Sequence, residues 1–180
     1  MYNLDFKIKF WAAVAIQIII IFAVLFYFQA SLSRGEKILL KLSPPRDPLS
    51  LFQGHYLILD YEISEIDKNI HNLSGLNSGE IIYVTLSDNG KCHSAASASL
   101  KEPDSGKFVR GRVNYQRRDG SLFVEYGIER YFIPESKALE LDRNFRKMRE
   151  EENIFVQISL AKSGRALIDK IFIGDEELDL

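Results

Sequence analysis

Glu80-Ile81-Ile82-Tyr83-Val84-Thr85-Leu86, followed after Ser87 by Asp88-Asn89-Gly90, is the stretch that decides the fold. Its β-branched and aromatic residues suit a pleated surface. Asn-Gly favours the left-handed turn that joins two antiparallel strands. The returning strand is Lys91–Leu100, in which Ala95, Ala96 and Ala98 are weaker strand formers. Downstream, Phe108–Tyr115 and Ser121–Phe132 flank Arg118-Asp119-Gly120. Ile154–Leu160 and Ala166–Ile173 flank Lys162-Ser163-Gly164-Arg165. Each set reads as a further hairpin. Upstream, Lys37–Leu42 is a short apolar strand broken by Pro44-Pro45-Arg46-Asp47-Pro48, because proline fixes φ and has no N–H for a ladder. Tyr56–Ile63 alternates cleanly: Leu57, Leu59, Tyr61 and Ile63 form one apolar face, Tyr56, Ile58 and Asp60 the other.

One helix interrupts the strands. Pro134 suits its first turn, and Ala138, Leu141, Phe145 and Met148 recur three and four residues apart as a single apolar stripe. The segment Asp67–Ser78 is a polar loop. The predicted fold class is α+β, mostly antiparallel β and sandwich- or barrel-like. It has about 7–8 strands, one amphipathic helix near 135–152 and a transmembrane helix in front.

The leading helix follows from the charge pattern. Phe10–Ser33 holds no charged residue, and 19 of the 21 residues from Phe10 to Ala30 are apolar. About 20 helical residues cross a hydrocarbon core of about 30 Å. A lone span must satisfy its own backbone hydrogen bonds, which only a helix does. Trp11 and Tyr27-Phe28 sit where interfacial aromatics are expected. A cleaved signal peptide has a shorter apolar core and small residues at its exit, whereas Phe28-Gln29 precede Ala30 here. The expected organisation is a short tail 1–9, an uncleaved anchor helix 10–32 and a single β-rich domain 33–180. Lys7 and Lys9 before the span nearly tie with Arg34, Lys37 and Lys41 after it. A short tail carrying two lysines is read as the inside end, which puts the domain outside.

The 180 residues carry 23 basic and 25 acidic side chains, a net charge of −2. That excludes the strongly basic balance of a nucleic-acid binder. Beyond Ala30, 21 basic and 24 acidic residues remain, mixed in sign and without a basic stripe for headgroups. The mean hydropathy of −0.10 averages a membrane span with a polar domain. Cys92 stands alone, so neither an intrachain disulfide nor a cysteine-based zinc cluster can form.

Candidate chemistry is sparse. His55, His71 and His93 have no helical metal-ligand spacing. Cys92 and His93 are neighbours on a strand, so they point to opposite faces and cannot pair. Arg110-Gly111-Arg112 reads as a strand with one glycine at a bulge or close backbone approach, and Glu129-Arg130 as an ion-paired rim. No nucleophile elbow, phosphate loop or dinucleotide fingerprint occurs. An anchored β-domain resembles type I signal peptidases in outline. However, Ser50-Leu51-Phe52-Gln53 precede Gly54 without the Met or Pro-Thr of their serine motif.

Asp47–Tyr61 resembles the motif that names the GDYXXLXY family, with Gly54, Tyr56, Leu59 and Tyr61 matching and His55 in place of the aspartate. Tyr126–Glu135 and the strand pair around Ser163-Gly164-Arg165-Ala166 are also similar to that family. The resemblance covers nearly all of 36–174. It implies a single-pass or membrane-associated bacterial protein of the inner (cytoplasmic) membrane, a membrane protein as partner, and no catalytic residue. The motif positions Gly54, Tyr56, Leu59, Tyr61, Glu129, Arg130, Tyr131 and Pro134 are read as structural, fixing a loop-to-strand corner and its core. No catalytic residue, cofactor, metal or nucleic-acid partner is expected. The leading expectation is a non-catalytic accessory domain beside an integral membrane partner. Two others stand beside it: a module for a lipid or small apolar ligand, suggested by Tyr56, Tyr61, Tyr83, Tyr115, Phe123, Tyr126, Tyr131 and Phe132, and an uncharacterised hydrolase built on His55 or His93 with a carboxylate.

Overall fold

A computed structural model describes residues 2–33, 35–43, 52–53, 56–70, 73–132 and 153–178. The helix α1 runs from Tyr2 to Ser33, so it takes in most of the tail expected at 1–9. Within it Lys7–Tyr27, 21 residues of mean hydropathy 2.5, is long and apolar enough to cross a membrane, and none of that segment is buried by the rest of the chain. Ile19, Phe22 and Phe26 are 65%, 67% and 76% exposed, which a helix of a water-soluble core would not tolerate.

Twelve strands follow: β1 (Glu36–Lys41), β2 (Phe52–Gln53), β3 (Tyr56–Ile58), β4 (Glu65–Ile66), β5 (Ile81–Asp88), β6 (His93–Ser99), β7 (Phe108–Gln116), β8 (Leu122–Glu125), β9 (Arg130–Phe132), β10 (Ile154–Leu160), β11 (Ala166–Ile173) and β12 (Glu176–Glu177). The count exceeds the expected seven or eight because several are only two or three residues long. Nine form one sheet in the order β12-β11-β10-β1-β6-β5-β7-β8-β4, and β2-β3-β9 form a second. Every pairing is antiparallel except β1 with β6, which touch in parallel at Leu40 and His93. The large sheet is open, ending at β12 and β4, so the domain is mostly antiparallel β without barrel closure.

The hairpins form where turn chemistry places them. Asp88 Oδ1 accepts the Gly90 N–H at 2.8 Å, Asn89 N–H reaches the Cys92 carbonyl at 3.0 Å, and Gly90 adopts φ +85°. The 117–121 turn closes with Asp119 Oδ1 accepting the Ser121 N–H at 2.9 Å. The alanine-rich strand holds because β5 supplies a ladder along it, with Leu86 opposite Ala95 and Val84 opposite Ala98, while β1 touches it only at His93. Two expected strands are shorter than predicted. In Tyr56–Ile63 the strand ends at Ile58, one further backbone bond follows from Leu59, Tyr61 bridges to Leu42, and the chain turns as a 3₁₀ segment at Glu62–Ser64. Ser121–Phe132 breaks at Gly127, whose φ of +82° ends the ladder and sends β9 into the second sheet. The helix near 135–152 and Pro134 lie outside the described residues, as do Gly54, His55, His71 and the proline loop.

A single apolar cluster holds the sheets together. Ile38 and Leu40, Ile82 and Val84, Val109 and Val113, Leu122 and Val124, and Val156 and Ile158 come from the large sheet. Ile66 joins them from the edge strand β4, and Leu57, Leu59, Tyr61, Ile63 and Ile128 belong to the same cluster from outside the large sheet. The four residues predicted as the apolar face of Tyr56–Ile63 are 0–2% exposed, so the period-two burial survives the loss of strand pairing.

Candidate functional site

The three stretches that carry the family resemblance meet in space. β3 pairs with β9 through Leu57 with Tyr131 and Ile58 with Arg130, and the Leu59 N–H continues the ladder to the Glu129 carbonyl at 2.8 Å. The Tyr61 hydroxyl donates to the Ile128 carbonyl at 2.8 Å, and the Tyr126 hydroxyl donates back to the Ile63 carbonyl at 2.5 Å. Two tyrosines therefore clamp the two segments reciprocally, each ring filling core volume while its hydroxyl satisfies a buried carbonyl.

Glu129 holds the other side of this corner. Its carboxylate accepts the backbone N–H of Tyr126 at 2.5 Å and that of Gly127 at 2.8 Å. It is thus a cap for the break in the strand, in place of the ion-paired rim expected with Arg130. Arg130 is exposed on β9, Tyr131 is half-buried, and Tyr56 lies in β3 with its side chain outside the described set.

Burial, and secondarily the Glu129 carboxylate, push the Tyr61 and Tyr126 hydroxyls far above the ordinary value of 10.0. Both stay neutral in the fold while an unfolded chain would ionise them. Stability from these groups is fully present below about pH 10 and lost as pH rises above it. Alkaline titration followed by circular dichroism should show unfolding steepened by up to about 1.4 kcal/mol per pH unit for each tyrosine. The double variant Tyr61→Phe/Tyr126→Phe should flatten that dependence while lowering stability at neutral pH.

The third stretch closes the far side. Gly164, at φ +75°, brings the β10–β11 turn against β7, where its carbonyl accepts the Arg110 N–H at 2.8 Å. There the β7 edge is free because β8 has already left the sheet, its register with β7 beginning only at Arg112 with Glu125. Between the turn, β7 and the 125–129 break lies an open cleft of about 400 Å³. Its charged walls are Arg110, Arg112, Glu125, Glu129 and Arg165. Gly111 is the close approach anticipated from its place in the strand: a Cβ there would meet Tyr126 Cδ1 at 2.9 Å and the Glu125 carbonyl at 3.0 Å.

Sequence reasoning did not bring these arginines together, since Arg165 is more than fifty residues from Arg110 and no local pattern links them. The usable signal was the glycine in each segment: Gly111 and Gly164 mark close backbone approach, and Gly127 a positive-φ break.

The other candidates separate. Cys92 precedes β6, and burial first, then the Glu62 carboxylate, push its thiol up, opposite to an activated nucleophile. His93 Nε2 lies 3.3 Å from Lys107 Nζ, with Lys107 itself 2.8 Å from Glu36 Oε1. The imidazole thus faces an ammonium group where a hydrolase would place a carboxylate. Among the described residues no group of three or more His, Cys, Asp or Glu could hold a metal ion. The aromatics disperse as well: Tyr83 packs edge-on to Phe108 with centroids 5.8 Å apart, Tyr115 stacks on Phe123 at 5.2 Å, and Phe132 is 57% exposed.

Comparison with curated proteins and with solved structures gives no significant match. Residues 17–171 match the family described as GDYXXLXY protein, from within α1 to β11 and through all three stretches at the corner. The chain belongs to the GDYXXLXY protein family.

Proposed function

We propose that this protein is a membrane-anchored, non-catalytic accessory domain that works against an integral membrane partner. The observation that carries the reading is the unburied apolar helix Lys7–Tyr27 joined directly to the β-rich domain. An exposed stripe of this size is stable only in lipid or against other apolar helices. The family assignment fits an anchored protein and brings no activity with it. The motif residues that the structure describes serve the fold: Leu59 and Tyr61 in the core, Glu129 in a backbone cap. None of them faces a cleft with a nucleophile and base together. The domain is placed outside a bacterial inner membrane by the reading of Lys7 and Lys9 as the inside flank.

Two measurements test this. A reporter fused to the C-terminus should be active only in the extracytoplasmic compartment; activity in the cytoplasm overturns the orientation. Photo-crosslinkers placed along Ile16–Leu25 should trap a multipass membrane protein that co-purifies in detergent. A protein that stays strictly monomeric, with crosslinks to lipid only, overturns the accessory role.

A further inference from the structure

We propose that the cleft between the β10–β11 turn, β7 and the 125–129 break is a phosphate-binding site formed by Arg110, Arg112 and Arg165. Arg110 and Arg112 are two residues apart on β7, so their side chains leave the same sheet face roughly 7 Å apart. Arg165 comes from the opposite wall, held there by Gly164.

The two glutamates in the cleft bond neutral donors and not the arginines, so three guanidinium groups and two carboxylates leave the lining one positive charge in excess. Glu129 accepts the two backbone amides of Tyr126 and Gly127. Glu125, which faces Arg112 across the strand pair, accepts from Asn114 Nδ2 at 2.6 Å. Arg112 donates to the Gly79 carbonyl at 3.2 Å, which steadies its guanidinium but supplies no counter-charge. Among the described residues none of the three arginines forms an ion pair. Three permanently charged forks on one concavity ask for an anion with several acceptor oxygens. A carboxylate or a phosphodiester offers two free oxygens, a phosphomonoester three and inorganic phosphate four, so a terminal phosphate group satisfies three forks at once.

The position suits a terminal phosphate carried by a lipid headgroup, as in phosphatidic acid. The same turn that supplies Arg165 presents Ala161, Lys162 and Ser163 on its other side to a second cavity that Tyr27 lines, and Tyr27 is the last residue of the apolar segment. The cleft therefore lies one turn away from where the helix would leave the bilayer. A free phosphate offers the same chemistry, and the test separates the two sources.

The full chain in neutral detergent is titrated with inorganic phosphate by calorimetry, and separately in nanodiscs of neutral lipid with or without phosphatidic acid, scored for retained lipid by native mass spectrometry. Saturable phosphate binding, selective retention of phosphatidic acid, or both, is the expected result. Each of Arg110→Gln, Arg112→Gln and Arg165→Gln should weaken it by about tenfold, as expected for loss of one charge-assisted contact. Glu125→Gln should strengthen it, and Lys162→Gln, on the other side of the turn, should leave it unchanged. Melting curves of the variants establish that they fold. Phosphate without lipid selectivity assigns a soluble ligand, and lipid retention without free phosphate assigns the headgroup. The proposal is overturned if neither probe binds, if acetate competes as well as phosphate, or if Lys162→Gln costs as much as the arginine changes.

Discussion

Tyr61→Ala is expected to destabilise the domain by about 3–5 kcal/mol, the range for removing a large buried aromatic side chain. Tyr61 is 1% exposed, lies among Leu57, Leu59 and Ile63, and is the largest of the fully buried side chains among the described residues. Its removal opens a cavity between the two sheets and leaves the Ile128 carbonyl without the hydroxyl that satisfies it. Tyr61→Phe separates the two contributions. It keeps the ring, loses only the 2.8 Å hydrogen bond, and should cost about 1–3 kcal/mol. Denaturant titration of the full chain in detergent, read by circular dichroism at a strand wavelength, measures both. A loss under about 1 kcal/mol for the alanine variant would show that the corner is not a keystone of the core.

The second large effect belongs to Gly164. Its φ of +75° strains any residue with a Cβ, by about 1–2 kcal/mol. A Cβ there would also sit 2.6 and 2.8 Å from two carbons of the Phe108 ring and 3.0 Å from the Arg110 nitrogen. Part of that obstacle is backbone, which cannot swing aside, so overpacking adds about 1–3 kcal/mol. Gly164→Ala should therefore cost about 2–5 kcal/mol in total. The same substitution pushes the turn off β7 and breaks the Arg110 N–H to Gly164 carbonyl bond. Amide exchange at Arg110 should accelerate in step with the loss of stability. An alanine variant with native stability and a protected Arg110 amide would contradict the close approach. Gly90→Ala is the natural comparison: its φ of +85° carries the conformational strain, but nothing lies within 4 Å of its Cβ position.

The hairpins were legible because turn chemistry is local. Asp88-Asn89-Gly90, Arg118-Asp119-Gly120 and Ser163-Gly164 each specify a reversal within a few residues, and all three reversals form. Burial at Leu57, Leu59, Tyr61 and Ile63 was legible because alternation records which face meets the core, whether or not a ladder continues. What pairs with that face was not legible. Leu59 meets Glu129 and Tyr61 meets Ile128 across nearly seventy residues, and no period or spacing encodes such a partner. The parallel contact of β1 with β6 escaped for the same reason. Glu129-Arg130 reads as an ion pair from charge alone, yet a neighbouring glycine at φ +82° leaves two amide donors that the glutamate satisfies instead. The candidate cleft was the least legible feature, since its arginines come from two segments and only the fold gives them a common concavity.

The place of β1 in the sheet bears on how the protein is made. Glu36 pairs with Leu160, 124 residues further along, so the strand that leaves the helix has its long partner only after β10 has been synthesised. Its contact with β6 is a single parallel pair and does not hold it sooner. A ribosome feeds the chain out from its N-terminus, so the apolar helix is available to a bilayer long before the sheet can close around β1. Contacts of such long sequence separation are also slow to form. On the proposed anchoring the helix inserts first and the domain folds late, at the membrane surface.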